Sequence, residues 1–177
     1  GKSLPLMSAN LSVLQSRIRG TLLGGIIGDC FGTSGRIDFL AKLSAGKWLF
    51  RLSCNGYMML EATKKALDGG DSATLRQTFV DLISDPDMNH LKWGAGLSSV
   101  LSGEAPKSST LRGNTVMIRS LPAALFPDSE YERIFQMLAD AVPVHEVAKG
   151  KAKMLTDSAR GALKSGIFDP TGIKDIA

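Results

Sequence analysis

Residues 146–166 read Glu-Val-Ala-Lys-Gly-Lys-Ala-Lys-Met-Leu-Thr-Asp-Ser-Ala-Arg-Gly-Ala-Leu-Lys-Ser-Gly, and this stretch decides the fold class. Val147, Ala148, Ala152, Leu155, Ala159, Ala162 and Leu163 recur at helical spacing and Gly166 offers a stop, so the pattern predicts a helix over 146–164. Working towards the N-terminus, Pro127-Asp-Ser129 opens a second helix with Tyr131, Ile134, Phe135, Leu138 and Ala141 on one side, and Pro143 ends it. The segments 94–101 and 115–125 read as short helices separated by a polar stretch over 102–113. Ser72 is the expected N-cap of a helix carrying Leu75, Phe79, Leu82 and Ile83, which stops before Asp85-Pro-Asp87. Residues 57–67 carry the stripe Met58, Met59, Ala62, Ala66 and Leu67, closed by Asp68-Gly-Gly-Asp71. At the start, Leu11, Leu14, Ile18, Leu22 and Ile26 fall at helical spacing, and Gly20, Gly24, Gly25 and Gly28 permit close packing before a turn at Gly32 and Gly35. The span 37–55 mixes apolar residues with Gly46 and reads as short helix and irregular chain. No stretch alternates with period two, and no repeat is visible, so the expectation is all-α: a single compact helical domain over 17–166, an N-terminal arm over 1–16 and a tail over 167–177.

Composition narrows the function classes. The 177 residues are 44% hydrophobic and 21% charged, which fits one domain with a real core and excludes disorder. No apolar run approaches the roughly 20 residues of a bilayer span, so no transmembrane segment is expected. Two cysteines, Cys30 and Cys54, make no disulfide framework and point to a reducing, intracellular compartment. A net charge of +4 favours acidic partners without defining a nucleic-acid binder. Residues 1–28 contain no acid, while Lys2, Arg17 and Arg19 are basic and serines recur, a composition shared by organellar targeting segments, their remnants and plain N-terminal arms.

The usual chemical motifs are missing. The glycine-rich stretch 20–35 lacks the Gly-Lys-Ser/Thr ending of a phosphate loop. Cys30, Cys54, His90 and His145 match no zinc spacing, and a lone histidine is more often a surface or capping residue than a ligand. Nothing resembles a nucleophile elbow. One physical feature stands out on the last helix: Lys149, Lys153, Arg160 and Lys164 fall within about 60° of one another at 100° per residue. This basic ridge is expected opposite the apolar stripe. It reads either as a solvated face or as a contact for an acidic protein, RNA or anionic lipid.

Four stretches carry a resemblance to a known family. Arg17-Ile-Arg-Gly-Thr-Leu-Leu-Gly-Gly-Ile-Ile-Gly-Asp-Cys-Phe-Gly32 looks like an opening helix with its Gly-Asp turn, and Asp85-Pro-Asp87 followed by Trp93-Gly-Ala-Gly96 resembles a middle segment. Gly113-Asn-Thr-Val-Met-Ile-Arg119 is similar to a Gly-Asn-Gly-x-x-Met-Arg loop, and 138–166 matches the following helix pair in length and apolar pattern. Together they resemble the ADP-ribosylglycohydrolase family, an all-α fold that removes ADP-ribose from modified targets with a pair of magnesium ions. The resemblance implies the N-terminal part of that fold.

The departures from that pattern bear on the chemistry. Where the family has a Thr-Asp-Asp-Thr motif for its metals, the matching positions are Ser53-Cys-Asn-Gly56, without a carboxylate. Arg36 stands where an acid is expected, with Asp38 nearby, and the family's Thr-His pair falls on Pro143-Val144 with His145 displaced by one. The family's C-terminal Gly-Asp-x-Asp-Thr segment has no counterpart, which is expected to leave apolar helix faces for a partner to cover. No catalytic residue, metal ligand or cofactor is therefore expected. Asp29, Gly113 and Asn114 are the candidate ligand-binding residues, and each also has a purely structural explanation as a turn or capping residue. The expected function is that of a non-catalytic accessory subunit bound to other protein subunits of a large, mitochondrial assembly. It uses the basic face of Lys149, Lys153, Arg160 and Lys164, or the region of Lys42, Lys47, Arg51, Lys64 and Lys65, towards acidic protein, RNA or lipid. The alternatives are a binding module for ADP-ribose or a nucleotide, and a residual ADP-ribosyl hydrolase.

Overall fold

Among its described residues, the chain folds into six α-helices and two 3-10 turns, with no strand. The computed structural model describes residues 4–34 (with side chains over 13–30), 44–45, 52–91, 93, 97–98, 101–103 and 115–167. The helices are α1 (Leu4–Ser34), α2 (Cys54–Leu67), α3 (Ser72–Ser84), α4 (Thr115–Ser120), α5 (Asp128–Asp140) and α6 (Glu146–Ser165), with 3-10 turns at Pro86–Met88 and Leu121–Leu125. The all-α expectation is met.

Capping chemistry sets most of the boundaries. Ser53 caps α2 by accepting from the Asn55 backbone N–H at 3.0 Å. The cap of α3 is Asp71, not Ser72: Asp71 is extended and accepts from the Thr74 N–H while the Thr74 hydroxyl receives the Asp71 N–H, a reciprocal capping box. Ser72 is instead the first helical residue, and its hydroxyl donates to the Met137 carbonyl at 2.9 Å, tying α3 to α5. His145 caps α6 through Nδ1, which accepts from the Val147 N–H, so this histidine is the capping residue expected of a lone imidazole. Gly166 ends α6 at φ +76°, in the left-handed region, where a side chain would also run into the Arg17 guanidinium. Pro122 lacks the N–H that would continue α4, and the chain tightens there into a 3-10 turn.

The extent of α1 and the exposure of two stripe residues differ from expectation. Helix α1 starts at Leu4 and runs through the Gly-Asp turn to Ser34, so most of the predicted arm is helical and continuous with it. The glycines there do not stop the helix, because no residue of that stretch adopts a positive φ. Leu67 and Val147, assigned to apolar stripes, are exposed. Of the helix expected over 94–101, Leu97, Ser98 and Leu101 are helical and the other residues lie outside the described residues, as does nearly all of 37–51.

The shortest helix is the hub. α4 and the 3-10 turn behind it are touched by α2, α5 and α6, and small buried residues, Val116, Ala123 and Ala124, let those three helices close around them. Met58, Leu75, Phe79, Ile134, Phe135 and Leu138 fill the space between, each fully buried and worth roughly 1.5–3 kcal/mol in removal from water. Arg119 is buried in the same core without a carboxylate hydrogen-bond partner. Its Nε donates to Leu138 O, and its Nη2 donates to Ala139 O and Val142 O at 2.7 and 2.9 Å, so the guanidinium closes the carbonyl end of α5.

Helix α1 lies outside this arrangement, against α2 and α6. Its attachment to α6 is polar: Arg17 Nη1 donates to Leu163 O and Lys164 O at 2.8 and 3.0 Å, satisfying carbonyls of the last turn. Its attachment to α2 runs through Asp29.

Candidate functional site

Asp29 faces the N-terminus of α2. Its carboxylate accepts from the Ser53 backbone N–H at 2.9 Å through Oδ2 and from the Ser53 hydroxyl at 2.5 Å through Oδ1. The sequence anticipates a bond to a neighbouring amide; Ser53 lies 24 residues away, so Asp29 joins two helices. The negative charge beside the positive end of α2 is favourable. Gly56 makes room for this junction, because a Cβ there would stand 2.8 Å from Asp29 Oδ2 and from Leu52 Cδ2 and push both side chains aside.

A cleft of about 490 Å³ opens beside this junction, with Gly24, Gly28, Asp29 and Asn55 along one side and Met59 and Leu121 among its apolar walls. Its polar equipment is modest: one carboxylate engaged by Ser53, and one side-chain amide. Burial raises the Cys30 and Cys54 thiols above their ordinary range, and the Asp29 charge adds to the rise in both, so neither is tuned as a nucleophile or a metal-binding thiolate. The gathered donors do not fit a divalent cation. Magnesium demands a near-octahedral set of oxygen ligands, usually with carboxylates, and among the described residues no group of three metal-binding side chains exists. Gly113 and Asn114, the other candidate ligand-binding residues, lie outside the described residues, as do Arg36 and Asp38.

The four cations of α6 form a seam with neighbouring residues. Lys149 pairs with Asp140 at 2.5 Å, Lys153 with Glu132 and Asp157, and Arg160 and Lys164 both with Asp128. The ridge lies along the edge of the buried face rather than opposite it, since Arg160 is buried and also donates to Phe126 O. Tyr131 stands between two of the cations, with Lys153 Nζ 4.3 Å and the Arg160 guanidinium 4.2 Å from its ring centre, while its hydroxyl donates to Asp157. Burial, then the Asp157 bond, pushes the phenol up to about 12. Burial pulls Lys153 down, but its bonds to Tyr131, Asp157 and Glu132 outweigh that and hold it above the ordinary lysine range. Of the second basic region, Lys64 pairs with Glu61 in the last turn of α2, and Lys42, Lys47 and Arg51 lie outside the described residues.

Sequence reasoning passes over two residues that organise these sites. Ser53 reads there as a lost-ligand position, although a serine just before an apolar helical pattern is an N-cap signal. Arg17 carries no local signal, because its acceptors are 146 and 147 residues away. Compared with protein-family models, with curated proteins and with solved structures, the chain matches none.

Proposed function

We propose that this chain is a non-catalytic accessory subunit of a larger protein assembly, built on an ADP-ribosylglycohydrolase-like fold that has lost its magnesium site. The observation that carries the reading is the Asp29–Ser53 junction. The Gly-Asp end of the family-like opening helix meets the positions that match the family's Thr-Asp-Asp-Thr metal motif, but the latter supply a hydroxyl, a thiol, an amide and a glycine, and the Asp29 carboxylate is engaged by Ser53 at the start of α2. The junction therefore has a structural task in place of a chemical one. The apolar residues exposed along α1, Val13, Leu14, Leu23 and Ile27, support a partner that covers them. A protein partner fits better than RNA or lipid, because the four ridge cations of α6 are already paired with Asp128, Asp140, Glu132 and Asp157 and offer no continuous run of open charge to a row of phosphates. The acid-free composition of 1–28 supports a mitochondrial setting.

The test is the native mass of the untagged protein in a gentle extract, by size-exclusion with mass spectrometry of comigrating chains. Elution inside a large complex with stable partners is expected. Elution alone near 18.8 kDa overturns the reading. The 490 Å³ cleft beside Asp29 and Asn55 favours one second reading, a module that binds ADP-ribose or a nucleotide without hydrolysing it.

A further inference from the structure

A second hollow, of about 360 Å³, lies where α1, the C-terminal half of α6 and the start of α5 meet. Leu14 and Ile18 of α1, Leu125 at the end of the 3-10 turn with Phe126 after it, and Leu163 of α6 make its apolar walls, and Leu14 is 45% exposed despite lining it. The rim is charged and unbalanced. Arg160 and Lys164 share the single carboxylate of Asp128, and Arg17 sits against the Leu163 and Lys164 carbonyls at the same end. Within the lining two cations face one carboxylate, a surplus of one positive charge beside an apolar floor. That volume is at the small end for ligand clefts, enough for a few side chains and too little for a whole helix.

We propose that this groove receives a short acidic-apolar segment of a partner subunit, which seats one or two large apolar side chains between Leu14 and Leu163 and sets a carboxylate against Lys164. The inference rests on the accessory-subunit reading and names the surface through which it acts. Charge complementarity selects the occupant: a carboxylate satisfies the surplus on Lys164, which is 59% exposed, without displacing Asp128 from buried Arg160. A phosphate backbone would meet the same charge but has nothing to bury against Leu14, Ile18 and Phe126. The basic ridge seen in the sequence thus contributes through its last member, at the mouth of a groove, rather than as a continuous face.

The experiment places a photo-crosslinking benzoylphenylalanine at Leu14 of the full chain, with the same group at exposed Leu67 as the control, and irradiates in native extract. The expected product joins Leu14, and not Leu67, to a partner segment holding an aspartate or glutamate within a few residues of the crosslinked apolar residue. A synthetic copy of that segment should bind the purified chain. Lys164→Glu should slow its association about tenfold and remove most of its salt dependence, and exchanging the peptide's acid for lysine should restore binding to that variant. Crosslinking to a second copy, to the chain's own residues, to RNA, to lipid or to a segment without a carboxylate overturns the proposal. So does an affinity indifferent to Lys164→Glu. If the protein elutes in a large complex while Leu14 yields no crosslink, the groove proposal fails and the accessory-subunit reading stands. If the protein elutes alone, both fall.

Discussion

Arg119 is the residue on which the core most depends. Its guanidinium is 1% exposed, burial pushes its pKa down to about 10 with Asp140 pulling the other way, and its donors end on three carbonyls at the close of α5. Arg119→Met removes the buried charge but leaves those acceptors unpaired, and the expected loss is about 2–3 kcal/mol. Arg119→Lys is expected to lose a similar amount, because an ammonium cannot reproduce the fork. Urea midpoints at unchanged slope are the check, and a wild-type midpoint for the methionine variant would remove the capping role. Tyr131 makes a pH prediction of definite sign. Its phenol ionises at about 12 in the native chain against an ordinary value of 10.0, so between those values the unfolded chain loses a proton that the native chain keeps. The stability it contributes is whole below pH 10 and is lost as pH rises through 12. Absorbance titration should show a late tyrosinate near pH 12 that is missing in Tyr131→Phe.

At the scale of elements, the start of α2 decides how α1 is held. Ser53 does two jobs there, capping α2 at the Asn55 N–H and donating its hydroxyl to Asp29. Ser53→Ala should cost about 1–2 kcal/mol and speed amide exchange in the first turn of α2. The informative variant is Ser53→Asp. Aspartate is as good an N-cap as serine in isolation, yet here it sets a second carboxylate against Asp29, so it should be no better than alanine and should loosen α1 from α2. A Ser53→Asp protein as stable as wild type would mean that the Asp29 contact contributes nothing. The helices themselves were largely legible. α5 and α6 were readable from Pro127 to Gly166 because apolar period, proline, glycine and first-turn acids all agree there. The length of α1 was not, since residues 1–16 read as an arm, whereas the helix runs from Leu4 to Ser34. Ser72 and Asp71 are both good cap residues side by side, and the choice fell to Asp71 once the Ser72 hydroxyl found Met137 on α5.

At the scale of the whole molecule, the two readings of the 490 Å³ cleft part on one measurement. A nucleotide-binding module at ligand 100 times its Kd gains about 2.7 kcal/mol, roughly 5 °C or more in Tm for a domain of this size. The accessory-subunit reading expects no shift with ADP-ribose, with or without magnesium, and a saturable shift would replace it with the second reading. What the sequence determined by itself is the class of fold and the lack of a carboxylate over Ser53–Gly56: helical period, caps and residue identity are local properties, complete within a few turns of chain. Only the tertiary structure decided what the polar residues do. Asp29 meets Ser53 across 24 residues, Arg17 meets Leu163 across 146, and the α6 cations find Asp128, Asp140 and Glu132 on α5 and at its close. Apart from pairs three or four residues away on one helix, such as Lys153 with Asp157, a charge has no preferred neighbour along the chain. The partner of such a long-range group is fixed only when hydrophobic packing brings two helices to one place and leaves few acceptors in reach of its donors.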